Sequence, residues 1–71
     1  MAQEELKKLL SVATDTAISG KIRTKSIEVI GEIATHEALL ALLELAGNDR
    51  LAKAERELAL KYARDIIRAG R

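Results

Sequence analysis

Apolar residues recur along the chain at helical spacing almost from its start. Leu6, Leu9, Leu10 and Ala13 fall at i, i+3, i+4 and i+7. That spacing gathers them into one stripe of a 3.6-residue helix, while Glu4, Lys7, Lys8 and Ser11 face elsewhere. A first helix is therefore predicted over about residues 3–14. Thr14, Asp15 and Thr16 then offer capping chemistry rather than continuation. Ser19-Gly20 is the strongest breaker in the chain. A second helix is expected to run to about Ala34, with Ile22, Ser26, Val29, Ile30 and Ile33 on its buried side. The pattern allows it to start either near Asp15 or after Gly20. Thr35 suits the N-cap of a third helix over about 36–46, which Gly47-Asn48-Asp49 would end with a glycine and a new N-cap. The last helix is predicted from about Arg50 to Ala69, with Gly70 closing it.

The two halves of this pattern superimpose. At an offset of 33 residues, Glu4 falls on Glu37, Leu6 on Leu39, Leu9 on Leu42, Leu10 on Leu43 and Ala13 on Ala46. Arg23 falls on Arg56 and Ile33 on Ile66, with similar pairs between them: Val12 with Leu45, Asp15 with Asn48, Ile18 with Leu51, Ile27 with Leu60 and Glu32 with Asp65. Any two Leu-rich amphipathic helices match at their leucines. The arginine, the breaker segment and the second helix sharing one offset point instead to an internal repeat, with units of about 4–34 and 37–67. A period in the 30s is that of helical solenoid units.

Composition narrows the picture. At 71 residues the chain is one domain at most, and a domain this small has little margin in its core. Small domains usually recruit disulfides, a metal, a partner or very regular helix packing. With no Cys and a single His, the first two are set aside. Hydrophobic residues make up 48% and charged residues 32%, with no Pro, Phe or Trp, so the core must be aliphatic. The fold class expected is all-α, four helices forming two tandem helix-pair repeats in a compact bundle. A formal net charge of +1 creates no global field toward nucleic acid or anionic lipid. The N-terminus is acidic where a targeting peptide would be basic, and no apolar run approaches the roughly 20 residues that span a bilayer. No membrane association is expected, and a cytoplasmic location is. Met1 argues for a complete product rather than a segment of a longer solenoid.

From Ile22 onward the chain resembles a HEAT-like repeat. Ile22-Arg23, Ile27 and Val29-Ile30-Gly31-Glu32-Ile33 look like that family's first helix, and residues 37–46 like its second. Glu55-Arg56 and the helix after it look like the first helix of a next unit, and residues 4–13 like the second helix of a preceding one. Two features depart from the family pattern: Thr35-His36 stands where a Pro or Asp-Pro is usual, and the segment from Ala13 to Ile22 is long. The resemblance implies protein–protein binding through stacked helix faces and no particular reaction.

Candidate chemistry is sparse. His36-Glu37 opens like the zinc motif H-E-x-x-H, but Leu40 occupies the second ligand position. Glu32 lies four residues before His36, close enough to pair if the intervening turn is tight. Glu4/Glu5 and Glu55/Glu57 are the carboxylate pairs of ordinary helix surfaces, and Gly20-Lys21 lacks the rest of a phosphate loop. No catalytic residue, metal ligand or cofactor is assigned, and no enzymatic activity is expected.

Two helix faces stand out instead. The third helix carries Leu39, Leu42, Leu43 and Ala46 as its core stripe, yet Leu40, Ala41 and Leu45 extend apolarity around much of its circumference. Leu40 and Ala41 match Lys7 and Lys8 in the first half. A helix apolar all round is either central or covered by a partner, so Leu40, Ala41 and Leu45 form a candidate partner-binding face, for another protein or for a second copy. On the last helix, Arg50, Lys53, Lys61, Arg64, Arg68 and Arg71 fall within about 80° at 100° per residue. Such a stripe suits an acidic partner or nucleic acid. It equally suits a solvated face whose cations complement the helix dipole. Glu57 interrupts it, and no aromatic is interleaved for base stacking.

Overall fold

The computed structural model describes residues 3–70 and is all-helical: α1 (Gln3–Ala13), α2 (Gly20–Ile33), α3 (His36–Ala46) and α4 (Lys53–Arg68). No described helix is long and apolar enough to cross a membrane. Local chemistry accounts for each boundary. The start of α2 falls at Gly20: Ser19 is extended, and its hydroxyl accepts the Ile22 N–H. Ala34 ends that helix in the left-handed region (φ 57°), an uncommon conformation for a residue with a side chain. Thr35 caps α3 through the Ala38 N–H at 3.1 Å, as expected, and the Gly47 N–H closes it on the Leu43 and Glu44 carbonyls. The last helix starts three residues later than the spacing suggests. Residues 48–51 form a turn instead, in which the Asn48 side chain accepts the Arg50 N–H and the Leu51 N–H bonds back to the Asn48 carbonyl. Ala52 then takes the N-cap position with no side-chain oxygen to offer. Glu55 ties down the helix start from the other direction, its carboxylate accepting the Ala52 N–H at 3.1 Å.

The helices pack as two consecutive pairs, α1 with α2 and α3 with α4, joined chiefly by α2 against α4 and α3. Both α2 and α3 touch all the other helices, whereas α1 and α4 do not meet. The core lies along that diagonal, where Ile27, Ile30, Leu42 and Leu45 are fully buried with Ala13, Ala38, Ala59, Ala63 and Ile66 around them. Two expectations are corrected. The buried stripe of α2 is turned toward Ser26, Ile27 and Ile30, which leaves Ile22 52% exposed. Leu43 of α3 is 42% exposed rather than core, because it lies at the edge of a stripe centred on Ala38, Leu42 and Leu45.

The two connections after α1 and α3 carry the same hydrogen bonds, shifted by 33 residues. Thr14 N–H to Leu10 O, Asp15 N–H to Val12 O and Ile18 N–H to Asp15 O recur as Gly47 to Leu43, Asn48 to Leu45 and Leu51 to Asn48. Asp15 accepts the Ala17 N–H at 2.9 Å, and Asn48 accepts the Arg50 N–H at 2.9 Å. Arg23 and Arg56 each return a guanidinium to the preceding connection. The Arg23 guanidinium donates to the Asp15 (3.2 Å) and Ile18 carbonyls, and that of Arg56 to the Ala46 carbonyl (3.0 Å). The turn residues of the sequence comparison thus make paired bonds, while the arginines differ, since Ala46 is the last residue of α3 and the counterpart of Ala13 rather than of Asp15 or Ile18.

One close approach fixes how α2 meets α4. Gly31 lies against Tyr62 so tightly that an added Cβ would sit 2.7 Å from the ring's Cγ. Only glycine admits that separation without a shift.

Candidate interaction surfaces

α3 is apolar around most of its circumference for two separate reasons. Ala41 and Leu45, which the sequence pattern groups with a partner-binding face, are 7% and 1% exposed and belong to the chain's own core. They are buried because α3 is central, in contact with α1, α2 and α4. Leu40 is the exception, 52% exposed and directed away from that core. It borders a groove of about 250 Å³ between α1 and α3, floored by Leu6, Leu10 and Ala41. Lys7 stands on one lip of this groove and Glu37 and Glu44 on the other. Lys8, the counterpart of Ala41, is exposed on α1.

The structure adds a second apolar edge. Leu60 and Ile67 of α4 are 54% and 57% exposed. Leu58 and Tyr62 line a depression shared with Lys21, Thr24, Lys25 and Glu28, so that side of α4 faces α2. At 100° per residue Leu60 and Ile67 lie on the opposite edge, away from the first helix pair. Leu43 of α3 is also exposed, about 60° around that helix from Leu40. The signal is present in the comparison of halves, because Leu60 matches Ile27. Its exposure depends on what each helix packs against.

The basic residues of α4 keep to its exposed side. Lys53, Lys61, Arg64 and Arg68 are all exposed, Arg50 lies in the turn before the helix, and Arg71 lies outside the described residues. Lys61 is engaged locally, 3.9 Å from Asp65 and 5.0 Å above the Tyr62 ring. Glu57 shares a shallow depression with Leu60, Lys61 and Arg64.

The polar group most integrated with the fold is one that sequence reasoning places on the surface. Glu55 is 6% exposed. One of its carboxylate oxygens accepts the Ala52 N–H, and the other accepts Arg23 Nε at 3.1 Å, with Arg23 Nη2 at 3.0 Å. This two-pronged pairing joins the α1–α2 connection to the start of α4 across 32 positions of sequence. Its trace in the sequence is a carboxylate on the stripe Glu55, Ala59, Ala63, Ile66. His36, by contrast, is exposed at the first position of α3, and no bond joins it to Glu32, because α2 has already ended at Ile33. Among the described residues no group of three or more His, Cys, Asp or Glu is placed to hold a metal ion.

These surfaces belong to an all-α, four-helix domain. No family model, curated protein or solved structure matches the chain.

Proposed function

We propose that the chain is a small, non-enzymatic protein–protein interaction module built from two HEAT-like helix pairs, working in the cytoplasm through the apolar outer surface of its second pair. The observation that carries this reading is the placement of exposed aliphatics. Of the five large hydrophobic side chains exposed among the described residues, Leu40, Leu43, Leu60 and Ile67 belong to α3 and α4, and only Ile22 to the first pair. Scattered single apolar residues are normal on a surface, whereas their concentration on one helix pair, Leu40 at its groove with α1 and Leu60 and Ile67 on its far edge, supports an interaction role for that pair. The 33-residue correspondence supports the repeat reading, since a helix pair of this kind completes its core by stacking on a neighbour. In the test, immobilised wild type, Leu40→Glu and Leu60→Glu are compared for protein capture from lysate of the source cells, with folding checked by circular dichroism. Capture lost in at least one folded variant supports the reading, and equal or absent capture by all three rejects it.

A second reading rests on Lys53, Arg64 and Arg68, which form no ion pair among the described residues and lie on one exposed side of α4. It proposes a nucleic-acid or ribosome-associated protein, binding phosphates by charge. Affinity should then fall steeply with salt, and Arg64→Ala should reduce the salt slope by about one. Binding to RNA or DNA that is absent or insensitive to salt rejects it.

A further inference from the structure

We propose that the partner for the outer edge of α3 and α4 is a second copy of this chain, related by a two-fold axis through the neighbourhood of Leu60, with Glu57 of each copy opposite Arg64 of the other. This deepens the interaction reading and rests on it. The two ends of the molecule differ in a way that selects the arrangement. Residues through which the second pair meets the first include Ala41, in the groove with α1, and Leu58, against α2. The counterpart of Ala41 33 residues earlier is Lys8, which is exposed on the side of α1 shared with Glu5, Leu9 and Val12. A lysine there opposes further stacking by charge, as the polar outer faces of terminal repeats do. At the other end the counterpart of the fully buried Ile27 is Leu60, which keeps the aliphatic character with 54% of its surface open. Head-to-tail growth would set that end against the one that carries Lys8, whereas two copies of the outer end together bury Leu60.

Charge then fixes the symmetry. Along the outer stripe of α4, Glu57 lies three residues before Leu60 and Arg64 four residues after it, so all three share one face. Neither Glu57 nor Arg64 forms an ion pair among the described residues. When two such helices cross antiparallel about Leu60, Glu57 meets Arg64 of the other copy twice over, which is the self-complementarity an isologous interface requires.

The experiment is sedimentation equilibrium of the full chain from about 5 to 500 μM, with circular dichroism confirming the fold of each variant. Wild type is expected to dimerise. Glu57→Arg alone places four cations around the axis and should weaken association at least about ten-fold. Combining Glu57→Arg with Arg64→Glu should restore it to within about three-fold of wild type, and Leu60→Glu should abolish it. A wild type that is monomeric throughout overturns the proposal, as does a dimer indifferent to Leu60→Glu or a double variant as weak as the single one. If the chain stays monomeric yet captures another protein through Leu40 or Leu60, the two-copy proposal falls and the interaction reading stands. If it neither self-associates nor captures a partner, both fall.

Discussion

Arg23 and Arg56 occupy the same place in the two halves of the molecule and hold the same kind of connection, but only one has a neighbour to meet. Arg23 retains 14% of its side-chain surface and reaches Glu55 of the second pair. Arg56 retains 39% and finds only Asp49, 3.8 Å away and 95% exposed. Each guanidinium thus bonds a carbonyl that precedes its own helix, whereas the buried ion pair belongs to the junction between the two helix pairs. The largest expected effect tests that division. Glu55→Ala leaves the Arg23 guanidinium without its carboxylate and α4 without its cap, and breaking one side of a buried pair costs about 3–5 kcal/mol. A domain this small has total stability near the low end of about 5–15 kcal/mol, so urea unfolding followed at 222 nm should show Glu55→Ala partly unfolded without denaturant. Arg56→Ala, which forfeits one bond to a carbonyl, should lose about 1 kcal/mol. Comparable losses at the two sites would dissolve the distinction.

The pair Ile27 and Leu60 makes the same contrast in apolar terms. Ile27→Ala empties a fully buried site and should cost about 2–5 kcal/mol. Leu60→Ala removes a side chain that is more than half exposed and should leave monomer stability, measured at low micromolar concentration, almost unchanged. Its effect is expected in association instead. A large loss at Leu60 in dilute solution would mean that the outer edge is covered within the monomer.

Four helices, their order and most of their ends are legible in the sequence because helical period and cap residues are local signals. The stripe Leu6, Leu9, Leu10 needs no knowledge of the rest of the chain, nor does the cap at Thr35. The late start of α4 is hidden because Ala52 is a cap in backbone alone, served by a carboxylate three residues on. The candidate site is half legible. Leu40 stands out in the pattern as an unusual apolar position, but Ala41 and Leu45 look equivalent to it, since a central helix and a partnered helix have the same composition. Only tertiary packing separates them. Glu55 is misplaced for a related reason: a charged residue on an inner stripe reads as surface until its partner, 32 residues away, is known.

Gly31 and Arg64 form the third matched pair, the smallest residue facing one of the largest at one offset. Against Gly31 stands the Tyr62 ring, while Arg64 is exposed. Gly31→Ala should gain about 1 kcal/mol of helix propensity but forces the ring and α4 to shift, at about 1–3 kcal/mol. A net loss of up to about 2 kcal/mol is expected by urea unfolding, from the difference of those two effects. Net stabilisation would show that α2 and α4 separate easily, and that the close approach is not what sets their register.

The smallest effect is the sharpest test of the two-fold repetition itself. Ser26 is buried and its hydroxyl donates to the Leu9 carbonyl at 2.6 Å, tying α2 to α1. Its counterpart Ala59 is fully buried, and the counterpart of Leu9 is Leu42. Ser26→Ala forfeits one neutral hydrogen bond and should cost about 1 kcal/mol. Ala59→Ser is the informative partner experiment. If α4 meets α3 in the same register as α2 meets α1, the new hydroxyl finds the Leu42 carbonyl, which has a free lone pair beyond its helical bond. The substitution should then be nearly neutral. If the registers differ by even one residue, the hydroxyl is buried unsatisfied at a cost of about 1–3 kcal/mol. A loss of that size at Ala59, beside about 1 kcal/mol at Ser26, would reduce the repeat to its connections. Neutrality would extend it into the packing of the helices, where no sequence comparison reaches.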